Sequence, residues 1–143
     1  MNVIKDRLEN VIYNYNVVCV PTCGYLKSNG DGVVSSGFPE RLEKIIPNLA
    51  SAIGNGIKTY GNKVEAIALT KATYVVSFPI KESWYGKIDL ELLERSCKQL
   101  MNKTTKAYKV LIPRLIKSGE SWEDVLIILS KYFDDRVTIL EED

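Results

Sequence analysis

Val17-Val18-Cys19-Val20 is apolar at every position, and this constrains the fold more than any other stretch. A strand that is apolar on one face can lie on a surface. A strand that is apolar on both must be covered from above and below, at the centre of a sheet between two layers. The run meets Pro21, where the strand is expected to break. It then passes into a segment holding four of the nine glycines, Gly24, Gly30, Gly32 and Gly37, and helical spacing begins at Phe38. Strand, glycine loop, helix is an arrangement that turns backbone N–H groups toward a phosphate, with the helix N-terminus adding partial positive charge. Gly30-Asp31-Gly32 is followed by Val33-Val34-Ser35, and the next glycine is Gly37, so neither the mononucleotide nor the dinucleotide fingerprint is present. Asn29-Gly30 and Asp31-Gly32 are also ordinary turn pairs. Both a plain surface loop and an anion cradle are open, and the position at a strand's carboxyl end favours the cradle.

Around this centre the chain alternates. Met1 to about Lys5 reads as a short strand, followed by a polar turn through Asp6-Arg7. Phe38, Leu42, Ile45, Ile46, Leu49, Ile53 and Ile57 recur at helical spacing. Pro47 predicts a kink there, or one helix stopping and another starting. Gly54, Gly56 and Gly61 are expected to end the helical region. Val64–Leu69 and Thr73–Ile80 read as strands joined by a Lys71-Ala72 turn, hence antiparallel. Asp89 is placed to cap a helix with Leu90, Leu93, Cys97, Leu100 and Met101 inward. Lys106–Ile112 is a strand that ends at Pro113. Ser121-Trp122-Glu123-Asp124 opens a last helix, and Arg136–Leu140 is the last strand. This order predicts a single α/β domain over 1–143, a three-layer α/β/α sandwich around a mixed six-stranded sheet.

Composition narrows the function. Nineteen basic residues against eighteen acidic ones leave a net charge of +1, without the basic surplus of a general nucleic-acid binder. Any anion site is therefore local. No histidine occurs, which removes Ser-His-Asp and Cys-His catalysis and leaves Cys19, Cys23 and Cys97 without a partner for a zinc site. Neither metal nor cofactor is expected, and the three cysteines read as buried thiols. With no signal-like start and no apolar stretch of membrane-spanning length, a cytoplasmic protein in a reducing compartment is expected.

In a sheet of this kind ligands sit at the carboxyl ends of the strands. Three loops are expected to converge there: the glycine loop with Lys27, the Phe78–Trp84 turn with Lys81, and the segment from Pro113 with Arg114, Lys117, Ser118 and Gly119. Two loops with cations and one with backbone donors suit a pyrophosphate. Asp31 is the one acid inside the glycine loop, serving turn chemistry or the positioning of a water. Trp84 and Trp122 read as aromatics at the edge of the core.

Several segments together resemble the macro domain, the ADP-ribose-binding module, over nearly the whole chain. They are Pro21-Thr22-Cys23-Gly24, the loop Asn29–Pro39, Ser77-Phe78-Pro79-Ile80-Lys81-Glu82-Ser83-Trp84, Ile112-Pro113-Arg114, Trp122-Glu123-Asp124-Val125 and Asp134-Asp135-Arg136. The resemblance is greatest to the ADP-ribose-1″-phosphate phosphatase branch found in phage and bacterial genomes. It implies a small-molecule nucleotide partner, with Asp6 receiving the adenine amino group. Thr22, Gly24, Asn29, Gly30, Gly32, Val33, Val34, Ser35, Ser36 and Gly37 would hold ribose and phosphate. The departures imply a weakened catalyst. Pro21 stands where the family has an asparagine, Val34-Ser35 where it has Met-Gly, and Leu115–Gly119 where it has a longer glycine loop. The expectation is a binder of an ADP-ribose-type nucleotide with weak or absent phosphatase activity. The alternatives are an active phosphatase or ADP-ribosyl hydrolase, a sponge for a cyclic ADP-ribose-type signal, and a fold kept only for protein contact.

Overall fold

The computed structural model describes residues 1–116 and 121–142. Six strands form one sheet: β1 (Asn2–Lys5), β2 (Val17–Cys23), β3 (Glu65–Thr70), β4 (Thr73–Lys81), β5 (Val110–Pro113) and β6 (Val137–Glu141). Their order is β1-β6-β5-β2-β4-β3, with every pairing parallel except the β3–β4 hairpin. The helices are α1 (Leu8–Val11), α2 (Phe38–Ile45), α3 (Leu49–Tyr60), α4 (Leu90–Lys103) and α5 (Trp122–Tyr132), with a single 3-10 turn at Ile12–Asn14.

The period of two along β2 assigns alternate residues to the two cores. Val17 and Cys19 join Phe78, Ile112 and Ile139 beneath α4 and α5. Val18 and Val20 join Val75, Leu111 and Leu140 beneath α1, α2 and α3. The expected three-layer sandwich with a mixed six-stranded sheet is the architecture found, and all four residues from Val17 to Val20 are buried.

Several local features depart from the sequence reading, and β5 starts at Val110 where Lys106 was expected. β2 runs through Pro21 to Cys23 instead of breaking there. Its register with β5 covers only Val17↔Val110 and Val18↔Leu111, so beyond Val18 it is an edge on that side, where a strand tolerates a residue without an N–H. The Asp6-Arg7 turn leads into α1, whose Leu8 and Val11 pack with Ile12. Gly54 and Gly56 lie inside α3, which ends only at Gly61. At Pro47 the second of the two expected outcomes holds: α2 stops and α3 starts. The Lys71-Ala72 turn closes the antiparallel hairpin, with Lys71 at φ 54°.

Candidate functional site

β2 and β5 part after Val18 and Leu111, and the sheet opens at their carboxyl ends. A cavity of about 280 Å³ occupies this parting. Thr22 and Cys23 of β2, Ile80 and Lys81 of β4, and Pro113 of β5 form its floor, and Val33 to Pro39 lead over it into α2. Gly37 precedes α2 at φ 84°, a conformation costly for any residue with a Cβ. No side chain caps the helix, so its first-turn N–H groups lack a side-chain acceptor.

Lys81 is positioned through its backbone. Its carbonyl accepts from the Gly24 N–H at 3.0 Å and from the Asn62 side-chain amide at 3.1 Å. One residue earlier, the Ile80 carbonyl accepts from the Asp89 N–H at 2.9 Å, which closes the excursion carrying Trp84. The Ser96 hydroxyl of α4 donates to the Pro79 carbonyl at 2.6 Å. These bonds fix the end of β4 from three sides. The Lys81 ammonium has no ion-pair partner among the described residues, and none of the described residues lining the cavity is an Asp or Glu.

Arg114 lines the same cavity with its guanidinium already engaged. Nε donates to the Ile116 carbonyl at 2.9 Å and Nη1 to Glu141 at 3.0 Å, while the group lies 4.8 Å from the Trp122 ring centre. It shapes the rim, and Lys81 supplies the unspent charge.

Of the sequence-predicted site residues, Thr22, Val33, Ser35, Ser36, Gly37, Lys81 and Arg114 meet in this cavity. The first half of the glycine loop lies elsewhere. Lys27 to Gly32 form a tight hairpin packed on α3: the Lys27 N–H donates to Asp31, the Gly30 N–H to Lys27, and the Gly32 N–H to Ala50 of α3 at 2.8 Å. Asn29 accepts from the Asp31 N–H at 3.0 Å and donates to the Asp31 carboxylate at 3.3 Å. Those N–H groups are spent inside the fold. Gly24 makes room for Asn62 and the Glu82 carbonyl, and Val34 packs with the core under α2 and α3. Asp6 accepts from the Asn10 amide and the Arg7 N–H, which hold its carboxyl below the usual carboxylate range, and it does not line the cavity. Lys117, Ser118 and Gly119 lie outside the described residues.

Sequence reasoning missed the apolar wall made by Phe38, Pro39, Ile80, Ile88, Leu115 and Ile116. Nothing in their spacing separates them from core residues. Trp84, read as a core-edge aromatic, stands 59% exposed at the cavity mouth, edge-on to Tyr85 with ring centres 5.1 Å apart. No group of three or more Cys, Asp or Glu is gathered as a metal site among the described residues. None of the described helices is long and apolar enough to cross a membrane.

No protein-family profile matches the chain, and no curated protein sequence does. Solved structures do match. The macrodomain of Thermus aquaticus DarG has a TM-score of 0.72 at 15% identity, covering 99% of this chain and 97% of that one. The macrodomain of Mycobacterium tuberculosis DarG has a TM-score of 0.71 at 14% identity, with 99% and 98% covered. Thermosipho africanus DarTG in complex with ADP-ribose has a TM-score of 0.73 at 16% identity, where 99% of this chain spans 42% of that one. The fold is that of a macrodomain.

Proposed function

We propose that this protein binds an ADP-ribose-type nucleotide in the cavity at the carboxyl ends of β2, β4 and β5, with phosphatase activity toward ADP-ribose-1″-phosphate weak or absent. The observation that carries the reading is Lys81. Its ammonium has no ion-pair partner among the described residues, in a cavity whose described lining holds no carboxylate, beside the uncapped start of α2. A cation and backbone donors without an opposing acid favour a phosphorylated ligand. The likeness in fold to a protein solved with ADP-ribose supplies the ligand class, by analogy. The apolar wall and the exposed Trp84 give a ribose or base a surface to lie against.

Catalysis finds less support. A general base must come within hydrogen-bond reach of the attacking water. The chain has no histidine, and Asp31 sits on the hairpin against α3 with its carboxylate held by Asn29. Hydrolysis of the terminal phosphate therefore lacks a base among the described residues that line the cavity.

Calorimetric titration with ADP-ribose tests the binding. Saturable heat is expected, and Lys81→Ala is expected to weaken affinity about tenfold or more, the loss of one charge-assisted hydrogen bond. Absence of heat at millimolar ADP-ribose would overturn the reading, as would unchanged affinity in Lys81→Ala. Incubation with ADP-ribose-1″-phosphate is expected to release phosphate no faster than buffer does. Release that disappears in Asp31→Asn would restore the enzyme reading.

A further inference from the structure

Opposite the cavity, at the amino ends of β4, β2 and β5, three segments meet: 12–16, 70–74 and 104–110. Hydrogen bonds lock them into one rim. The Asn16 N–H donates to the Lys109 carbonyl at 2.9 Å, the Lys109 N–H to the Asn16 side chain at 2.7 Å, and the Tyr74 N–H to the Asn16 carbonyl at 2.8 Å. The Thr73 hydroxyl donates to the Tyr15 carbonyl at 2.7 Å. Together the three segments hold Lys71, Lys106, Lys109 and four tyrosines, and not one Asp or Glu.

The three lysines are exposed, as are Tyr13, Tyr74 and Tyr108. None of these lysines makes an ion pair among the described residues. The adjoining segment before β6 carries Asp134 and Asp135, both engaged: Asp134 with Arg136 at 2.9 Å, Asp135 with the chain's amino group at 3.5 Å. Lys106 stands within electrostatic reach of Asp134, which leaves Lys71 and Lys109 as the uncompensated charges of the rim. Both are held by rings. The Lys71 ammonium lies 4.3 Å from the centre of the Tyr13 ring and that of Lys109 5.2 Å from the centre of the Tyr15 ring. The ring quadrupole attracts a cation so placed and limits its freedom. Lys71 also takes the hairpin turn at φ 54°, where glycine or asparagine is ordinary. Lysine adds nothing to that conformation; what it adds is the ammonium.

Two positioned cations without an opposing acid suit an anionic partner. Single-stranded nucleic acid needs open rings on which bases stack, and Tyr13 and Tyr15 already carry ammoniums over theirs. The chain also lacks a basic surplus. Carboxylates need only the ammoniums. A strand spacing of about 4.8 Å puts the two cations on the order of 10 Å apart, a span that about three or four extended residues cross. We propose that this amino rim docks a short, extended, acidic segment of a partner protein, with its carboxylates on Lys71 and Lys109 and its backbone across Tyr74. The surface lies at the other end of the sheet from the cavity and is independent of the nucleotide reading.

Titration of the isotope-labelled full chain with hexaglutamate, followed by amide NMR, tests the proposal. Exposed ion pairs are individually weak, so affinity is expected to be low and to fall severalfold between about 20 and about 200 mM salt. Shifts are expected in 12–16, 70–74 and 104–110. Lys71→Glu combined with Lys109→Glu is expected to weaken binding about fivefold or more, and Lys87→Glu, beyond the carboxyl end of β4, to leave it unchanged. The proposal is overturned by absence of shifts at millimolar peptide and low salt, or by shifts centred elsewhere. Unchanged affinity in the double variant, or an equal loss in Lys87→Glu, overturns it as well. Hexathymidylate binding more tightly than hexaglutamate would also overturn it, making the rim a nucleic-acid surface. The wild-type titrations need no variant, so a double variant that folds poorly does not rescue the proposal.

Discussion

Gly32 and Gly54 meet back to back, the hairpin of one against α3 of the other. A Cβ on Gly54 would come within 2.1 Å of the Gly30 carbonyl oxygen, and one on Gly32 within 2.3 Å of Ile53 Cγ2. Glycine is required at Gly54 because backbone approaches backbone, and at Gly32 because the buried Ile53 side chain fills the space a Cβ would take. Read from sequence, the same glycines suggested approach to a phosphate; composition shows that something comes close and cannot say what. Gly32→Val is therefore expected to cost about 1–3 kcal/mol of stability through overpacking, measured by urea unfolding. Stability equal to wild type would mean that the hairpin does not rest on α3. The cysteines were more legible, since apolar neighbours on both sides of Cys19 place it in a core. Burial pushes the Cys19 thiol up, with Cys97 adding to it, and burial followed by the nearby Glu94 pushes Cys97 up to about 12. All three cysteines are buried and free. Cys19 and Cys97 of the native protein are thus expected to react with Ellman's reagent at pH 8 only as fast as the protein unfolds, and in denatured protein at once. Immediate reaction of native Cys97 would contradict its burial.

Among the elements, those with a cap written beside an apolar stripe were readable. Asp89 accepts from the Leu92 N–H at 3.1 Å and Ser121 from the Asp124 N–H at 3.3 Å, so the starts of α4 and α5 were visible in advance. α1 has no side-chain cap and only four residues, so its signal was too short to stand out. The end of α4 depends on a residue distant in sequence. Arg136 Nη1 donates to the Thr104 carbonyl at 2.7 Å and to the Met101 carbonyl at 3.3 Å, satisfying carbonyls that the helix leaves open. Asp134 holds that guanidinium through both carboxylate oxygens, each at 2.9 Å. The hydrogen bond from Arg136 keeps the Asp134 carboxyl below its ordinary 3.8. A carboxyl lowered by folding adds stability above its unfolded pKa and loses it as pH falls through the folded one. The urea midpoint of wild type is expected to exceed that of Asp134→Asn at pH 7, with the difference shrinking below about pH 4. A difference that persists at pH 2 would show that shape, not charge, matters there.

At the scale of the molecule, the order of elements was enough to read the layers, because a strand apolar on both faces admits only a covered, central place. The carboxyl ends of the strands were the expected place for a ligand, but that the sheet would open there between β2 and β5 was not readable. It depends on β2 and β5 parting after two residue pairs, a property of register that no local pattern carries. The roles of the two cavity cations were hidden for the same reason. Arg114 joins β5 to β6 through Glu141, holds the Ile116 carbonyl and lies over Trp122, whereas Lys81 has no ion-pair partner among the described residues. This asymmetry makes a prediction for thermal unfolding. A ligand bound only by the folded state stabilises it by about 2.7 kcal/mol at a hundred times its dissociation constant, a shift on the order of 10 °C for a chain of this size. Without ligand, Lys81→Ala is expected to melt with the wild type, since no ion pair among the described residues is lost. Arg114→Ala is expected to melt several degrees lower, having lost contacts to two elements and a loop. With ADP-ribose at a concentration that saturates the wild type, Lys81→Ala should gain clearly less than the wild-type shift. If Lys81→Ala lowered the melting temperature without ligand and kept the full shift with it, Lys81 would be a structural residue and the cavity's charge would reside in Arg114.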